Sequence, residues 1–257
     1  MLNAYLKQVC EDFGVTPIYA AESGSRAWGF HSTDSDYDVR FLYVYPKDRY
    51  LSLEDYDTNI PNQFKEDRLY DFNGLELRHA LVLLSKSNPA ITEWLKSPVY
   101  YIDKDGIREK LNKIVSEAFR PKALGFHYRN MMANVDGNKV SIFPQSASGK
   151  SYLYSLRCYF NLLFMRHNPW TIPPVPFSAV MNHAIKNGYI SAPLRQDITN
   201  LHEEKMAGKE LDVHKYPFIS NFLTHAFPEA ENGNFPIFSS YPFSFACFSV
   251  IPTEAIS

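Results

Sequence analysis

Three aspartates, Asp34, Asp36 and Asp38, crowd the stretch SGSRAWGFHSTDSDYDVRFLYV (residues 23 to 44) just ahead of a strongly β-prone run. In a strand, alternate side chains share a face, so Asp36 and Asp38 point one way while Tyr37 and Val39 point the other. Carboxylates that close raise each other's pKa unless a cation stands between them. Mg²⁺ takes one or two protein carboxylates, water and substrate phosphate into an octahedron, and an Asp-x-Asp pair at a strand mouth offers that donor set. A third acid on an adjacent strand permits a second ion, and Asp71, in RLYDF, is the candidate. Asp34 falls before the regular alternation and reads as a turn or cap residue.

Upstream, Gly24 and Ser25 supply the complementary element. Glycine lets the backbone approach a phosphate closely, amides of a following helical turn bind its oxygens, and the serine hydroxyl adds a donor. Metals on one side and turn amides on the other would hold a nucleoside triphosphate for in-line attack on its α-phosphorus, with pyrophosphate leaving. An Asp-x-Asp by itself is more often a capped turn or a solvated edge. The ordered set gives it weight: strand, Gly-Ser, Asp-x-Asp opening a buried strand, then another strand with an acid.

These groups need a scaffold. Leu2, Tyr5, Leu6, Val9 and Phe13 have helical spacing, and Gly14 suits a helix stop. TPIYAAES reads as a strand ending at Gly24-Ser25, YDVRFLYVY as a second, and RLYDF (68 to 72) as a third. After Asn73-Gly74 the period changes, and LELRHALVLLSKS, AITEWLKSP and IREKLNKIVSEAF suit helices punctuated by Pro89, Pro98 and Pro121. ASGKSYLYSLRCYFNLLFMRH, FSAVMNHAIKNG, LRQDITNLHEEKMAG and FISNFLTHAF continue the helical pattern. The expectation is an α+β protein: a catalytic domain of mixed sheet with flanking helices over 1–120, a helical domain over 121–227, and an irregular aromatic and proline-rich tail over 228–257. The tail segment FSFACFSVI is uncharged and β-prone and needs a partner or a packed position.

Composition narrows the field. With 257 residues and 45% hydrophobic content the chain can build a large core. Its net charge of −2 gives no global attraction for nucleic acid, so a polyanion must meet a local basic patch. No apolar run is long enough to cross a membrane and the first residues carry acids where a signal peptide would not, which makes the cytoplasm the expected location. Cys10, Cys158 and Cys247 are too dispersed for a disulfide framework or a CxxC site. The histidines show no HxH or HxxxH pair, so zinc is not expected, and SASGK (146 to 150) lacks the GxxxxGK spacing of a P-loop.

Gly24-Ser25, Asp36-Tyr37-Asp38 and the later Asp71 resemble the signature of the DNA polymerase β-like nucleotidyltransferase superfamily. The segments SGSRAWGFHSTDSDYDVRFLYV, YDFNGLELRHAL, SNPAITEWLKSPVYY and KSYLYSLR further resemble the predicted nucleotidyltransferases found beside bacterial RNA-repair genes. The resemblance implies Asp36 and Asp38 as ligands of Mg²⁺, with Mn²⁺ as a substitute, and Asp71 as the third carboxylate, helping to deprotonate an acceptor hydroxyl. It implies Gly24 and Ser25 at the β- and γ-phosphates, with Arg26 in reach of a phosphate oxygen. Lys150, Tyr154 and Arg157 fall on one helical face, where the cations would meet triphosphate and the tyrosine would stack on base or sugar. The chain departs from the pattern in having Gly74-Leu75-Glu76-Leu77-Arg78-His79 where Gly-Trp-Asp-Leu-Arg-Lys is expected.

The acceptor implied is an RNA end. A protein or small-molecule hydroxyl stays open, because the same chemistry serves each. Lys86, Lys96, Lys104, Arg108, Lys110 and Lys113 form a modest cationic series that solvated helix faces explain equally well. From another class, a nucleotide or RNA sensor without turnover is the alternative, although the intact acids argue against it.

Overall fold

The computed structural model describes residues 1–133 and 148–231. Strands β1 (Thr16–Glu22), β2 (Tyr37–Val44), β3 (Asn59–Lys65), β4 (Tyr70–Glu76) and β5 (Tyr100–Asp103) form one sheet in the order β3-β4-β2-β1-β5. The pairs β1/β2, β1/β5 and β3/β4 are antiparallel, whereas β2 and β4 run parallel.

Alternation along β2 divides its side chains between two cores. Val39, Phe41 and Tyr43 pack with Leu6, Val9 and Cys10 of helix α1 (Leu2–Asp12) on one face. Leu42 joins the opposite core, roofed by α4 (Leu77–Ser85), α5 (Pro89–Lys96) and α6 (Ile107–Ala118) through Leu84, Ile91, Leu95 and Leu111. Asp38 and Arg40 share the parity of Leu42, which puts them on this second face, at the strand's N-terminal end.

The sequence suggests β1, β2 and the first part of β4, but not β3 or β5. NIPNQFK is polar and carries Pro61, tolerated because β3 is an edge strand whose register shifts between Ile60 and Gln63. Asn73-Gly74 does not end its strand. β4 continues to Glu76, and Gly74 is there for space: an added Cβ would lie 2.5 Å from the Phe41 ring. Helix α4 consequently starts at Leu77, with the Glu76 carboxylate accepting the His79 N–H at 3.0 Å as its cap. Asn88 caps α5 in the same way and Pro89 opens it.

Beyond α6 the chain is helical: α7 (Pro121–Ala133), α8 (Gly149–His167), α9 (Phe177–Lys186), α10 (Ala192–Met206) and α11 (Pro217–Glu231). α8 runs through the middle, with Leu153, Leu156, Phe160 and Leu163 buried against α7, α9, α10 and α11. Two short helices, α2 (Gly24–Trp28) and α3 (Lys47–Leu51), follow β1 and β2. Trp28 and Phe30, just after the Gly-Ser turn, insert into the helical core, so the cradle and the helical region share packing.

The chain is therefore α+β, a mixed sheet with flanking helices and then a helical region. Cys10 and Cys158 are buried, and burial pushes both thiols up to about 12. Among the described residues no helix is long and apolar enough to cross a membrane. The tail beyond Glu231, including FSFACFSVI and Cys247, lies outside the described residues.

Candidate active site

Asp38 and Asp71 are register partners on the parallel strands β2 and β4. Residues so paired sit one strand spacing apart, about 4.8 Å, with side chains on the same face. Arg40, two residues after Asp38, folds back between them: one terminal guanidinium nitrogen lies 2.9 Å from Asp38 Oδ1 and 2.9 Å from Asp71 Oδ2. The other donates to the Asp71 carbonyl at 3.1 Å. Asn62 on β3 donates to Asp71 Oδ2 at 3.2 Å. Asp71 Oδ1 is left buried with no hydrogen-bond partner, an uncompensated acceptor in a residue only 6% exposed.

Burial raises the Asp38 carboxyl above the usual carboxylate range, and Asp36 and Asp71 push it the same way, while Arg40 and Lys150 oppose them. Asp36 stands just outside β2 and is exposed. Among the described residues no three His, Cys, Asp or Glu side chains are grouped as a ready-made metal cage. The donors present are instead two hard carboxylates, each with one oxygen not engaged by Arg40, which suits an ion that completes its shell with water and substrate oxygen.

Gly24 has φ +59°, and a Cβ on it would lie 2.0 Å from Asp38 Oδ2. Only glycine brings the turn this close to the carboxylate. Ser25, buried, follows it, and the amides opening α2 have no intrahelical acceptor. The same turn is tied to β2 by the Ser23 N–H donating to the Asp38 carbonyl at 2.8 Å. Glu22, 1% exposed at the end of β1, accepts the Asp38 N–H at 2.8 Å and the Tyr101 hydroxyl. Burial lifts its pKa to about 7, and those two hydrogen bonds offset part of the rise.

From the helical side, Lys150 in the first turn of α8, Tyr154 one turn on, and Lys205 near the end of α10 line a cavity of about 150 Å³ with Ser25, Asp34 and Asp36. The Lys150 ammonium lies 5.5 Å from the centre of the Tyr154 ring. That ring packs on Trp28 and Phe30, with centroids 5.0 and 5.9 Å away, which fixes it at the cavity wall. Lys205 donates to Ser32 Oγ at 3.2 Å. A larger cleft of about 540 Å³ opens around Tyr45, Arg49 and Tyr56, at the other end of β2, and contains none of these groups.

Two expected phosphate contacts are placed differently. Arg26 donates to the carbonyls of Asp36 at 3.0 Å and Ser35 at 2.7 Å and lies over the Tyr37 ring, so it fastens the loop that delivers Asp36. Arg157 is placed in the core rather than at the surface: 2% exposed, it pairs with Glu93 Oε1 at 2.9 Å beneath the Trp28 ring. Glu93 also accepts from Trp28 Nε1 and the Tyr128 hydroxyl, both at 3.1 Å. Lys150, Tyr154 and Arg157 do form one stripe, but seven residues along α8 is about 10 Å deeper into the core. Arg108, from the cationic series, is likewise spent on the Leu95 and Ser97 carbonyls.

Arg40, Lys205, Glu22 and Glu93 are not among the residues the sequence singles out. Arg40 was accessible to the same alternation rule that pairs Asp36 with Asp38. Nothing local distinguishes Lys205 from the other charges of LHEEKMAGKE.

The Gly-Ser turn after β1 and the in-register carboxylates of β2 and β4 are the features by which the chain resembles the polymerase β-like class of proteins. Within it, the chain matches over residues 1–234 the model of the RNA repair pathway DNA polymerase beta family (RlaP), and belongs to that family. It is also 39% identical over 213 residues to the uncharacterized protein YcgL of Bacillus subtilis (strain 168), a match covering 81% of this chain and 76% of that protein.

Proposed function

We propose that the protein transfers a nucleoside monophosphate from a nucleoside triphosphate to the hydroxyl of an RNA end, releasing pyrophosphate. The observation that carries this reading is the in-register Asp38–Asp71 pair beneath Gly24, with an unpartnered buried oxygen on Asp71. Those oxygens, with Asp36 at the mouth, fit Mg²⁺ or Mn²⁺ and would hold one ion, or two when substrate is present. When bound, such ions supply neutralisation of phosphate charge and polarise the α-phosphorus.

The chain's own residues do the rest. Gly24, Ser25 and the α2 amides receive the β- and γ-phosphates, and Lys150 and Lys205 approach them from the helical side as point charges. Asp71, besides helping to hold an ion, would help to deprotonate the acceptor hydroxyl. Tyr154 borders the sugar or base. Arg26 and Arg157 act at one remove, holding the Asp36 loop and the Trp28 platform.

RNA as acceptor is favoured by the family's association with RNA repair. The test is incubation with each labelled triphosphate in turn, Mg²⁺ and pooled RNA, beside a protein acceptor mixture. Transfer to RNA by the native protein and none by Asp38→Asn supports the reading. Transfer to protein alone changes the acceptor, and metal-independent binding without transfer overturns catalysis.

A further inference from the structure

We infer that Arg40 is a built-in counter-cation of the acidic pair, with which a divalent ion must compete for the pair's negative charge, so that metal loading is coupled to nucleotide binding. This rests on the reading of Asp38 and Asp71 as metal ligands. The alternation of β2 places Arg40 on the face of Asp38, and a single guanidinium nitrogen contacts both carboxylates at 2.9 Å. The guanidinium thus already compensates the charge that would draw an ion to the oxygens it leaves free.

The guanidinium is a standing positive charge on the pair. It yields the pair's charge only when something else compensates both partners: a cation for the carboxylates and an anion for the arginine. A divalent ion alone meets half of that requirement. A metal-bearing triphosphate meets both halves.

The surrounding charges agree. Asp34, Asp36, Asp38, Asp71 and the buried Glu22 share the site with Arg26, Arg40, Lys150 and Lys205. With Arg40 already seated on both carboxylates, a lone dication would add positive charge beside a cation that is there. Nucleotide brings compensating negative charge, and by linkage each ligand then tightens the other.

The experiment is a Mn²⁺ titration followed by electron paramagnetic resonance, with and without an α,β-methylene triphosphate analogue, on the native protein, Arg40→Gln and Arg40→Lys. Native protein should bind Mn²⁺ weakly alone and at least about tenfold more tightly with the analogue. Arg40→Gln should bind Mn²⁺ alone about tenfold more tightly than native, the scale on which a contacting opposite charge shifts a carboxylate equilibrium, and should lose most of the coupling. Arg40→Lys, which keeps a cation without the fork, should fall between; it carries the comparison if the glutamine variant does not fold. Melting followed by circular dichroism should show Arg40→Gln less stable than native without Mn²⁺ and more strongly stabilised by it. If native protein binds Mn²⁺ with the analogue while the variants bind it alone no better than native, the inference about Arg40 is wrong and the metal site stands. If none of the three proteins binds Mn²⁺ with or without the analogue, both fall.

Discussion

Asp38 Oδ2 lies 2.0 Å from where a Cβ on Gly24 would stand, so the turn and the acidic strand are fitted to each other at the resolution of one methyl group. Gly24→Ala should push the two apart and strain a residue at φ +59° by about 1–2 kcal/mol. Transfer should fall by about 100-fold, the usual effect of a misplacement near 1 Å, while melting temperature drops only modestly. Steady-state assays beside thermal denaturation check this; equal activity of native and variant would show that the turn does not position the carboxylate.

Lys150 and Lys205 reach one cavity from different helices. Replacing either with alanine should remove a charge-assisted contact worth about 1.5–3 kcal/mol, raising KM for triphosphate by about 10-fold or more. Affinity for the nucleoside monophosphate should barely change. Comparing the two ligands by calorimetry separates a phosphate contact from a general packing defect.

The buried Arg157–Glu93 pair joins α8 to α5 and to the Trp28 ring. Arg157→Met leaves Glu93 unpaired and should cost about 3–5 kcal/mol in urea unfolding. The double change Arg157→Met/Glu93→Gln should recover a good part of that loss. A nucleotide-binding arginine would behave differently: its loss would weaken binding with stability intact.

Glu22 gives the fold a pH signature. Its pKa rises from 4.5 in the unfolded chain to about 7 in the folded one, chiefly through burial. The folded state therefore prefers the neutral carboxyl. The associated stability is fully present below pH 4.5 and is lost as pH rises through 7, in all about 3 kcal/mol. Native and Glu22→Gln unfolding curves, subtracted at each pH, should diverge across that window and run parallel outside it.

Much of this arrangement was legible in the sequence, and the reasons divide by physics. Strand alternation set Val39 on the face opposite Asp38, the face that Phe41 and Tyr43 continue into a core, and RLYDF located Asp71 because β-prone residues flank it. Helix spacing also aligned Lys150 with Arg157, but angular position carries no information about depth, and Arg157 proved to be core. Asn73-Gly74 has turn chemistry and was read accordingly; the Phe41 ring on the neighbouring strand, a tertiary fact, explains the glycine. Strands β3 and β5 gain their pairing from the sheet rather than from their own apolar pattern. Lys205 reaches the site only through the packing of α10, which nothing near it in the chain encodes.

The position of the label decides the central claim. With native protein, Mg²⁺ and RNA, a triphosphate labelled at the α-phosphorus should pass its label to the acceptor, while one labelled at the γ-phosphorus should yield labelled pyrophosphate and an unlabelled acceptor. Asp38→Asn and Asp71→Asn should abolish both signals. Acceptor labelled from the γ-position, or α-label transfer undiminished in these variants, would contradict nucleotidyl transfer by the paired strands.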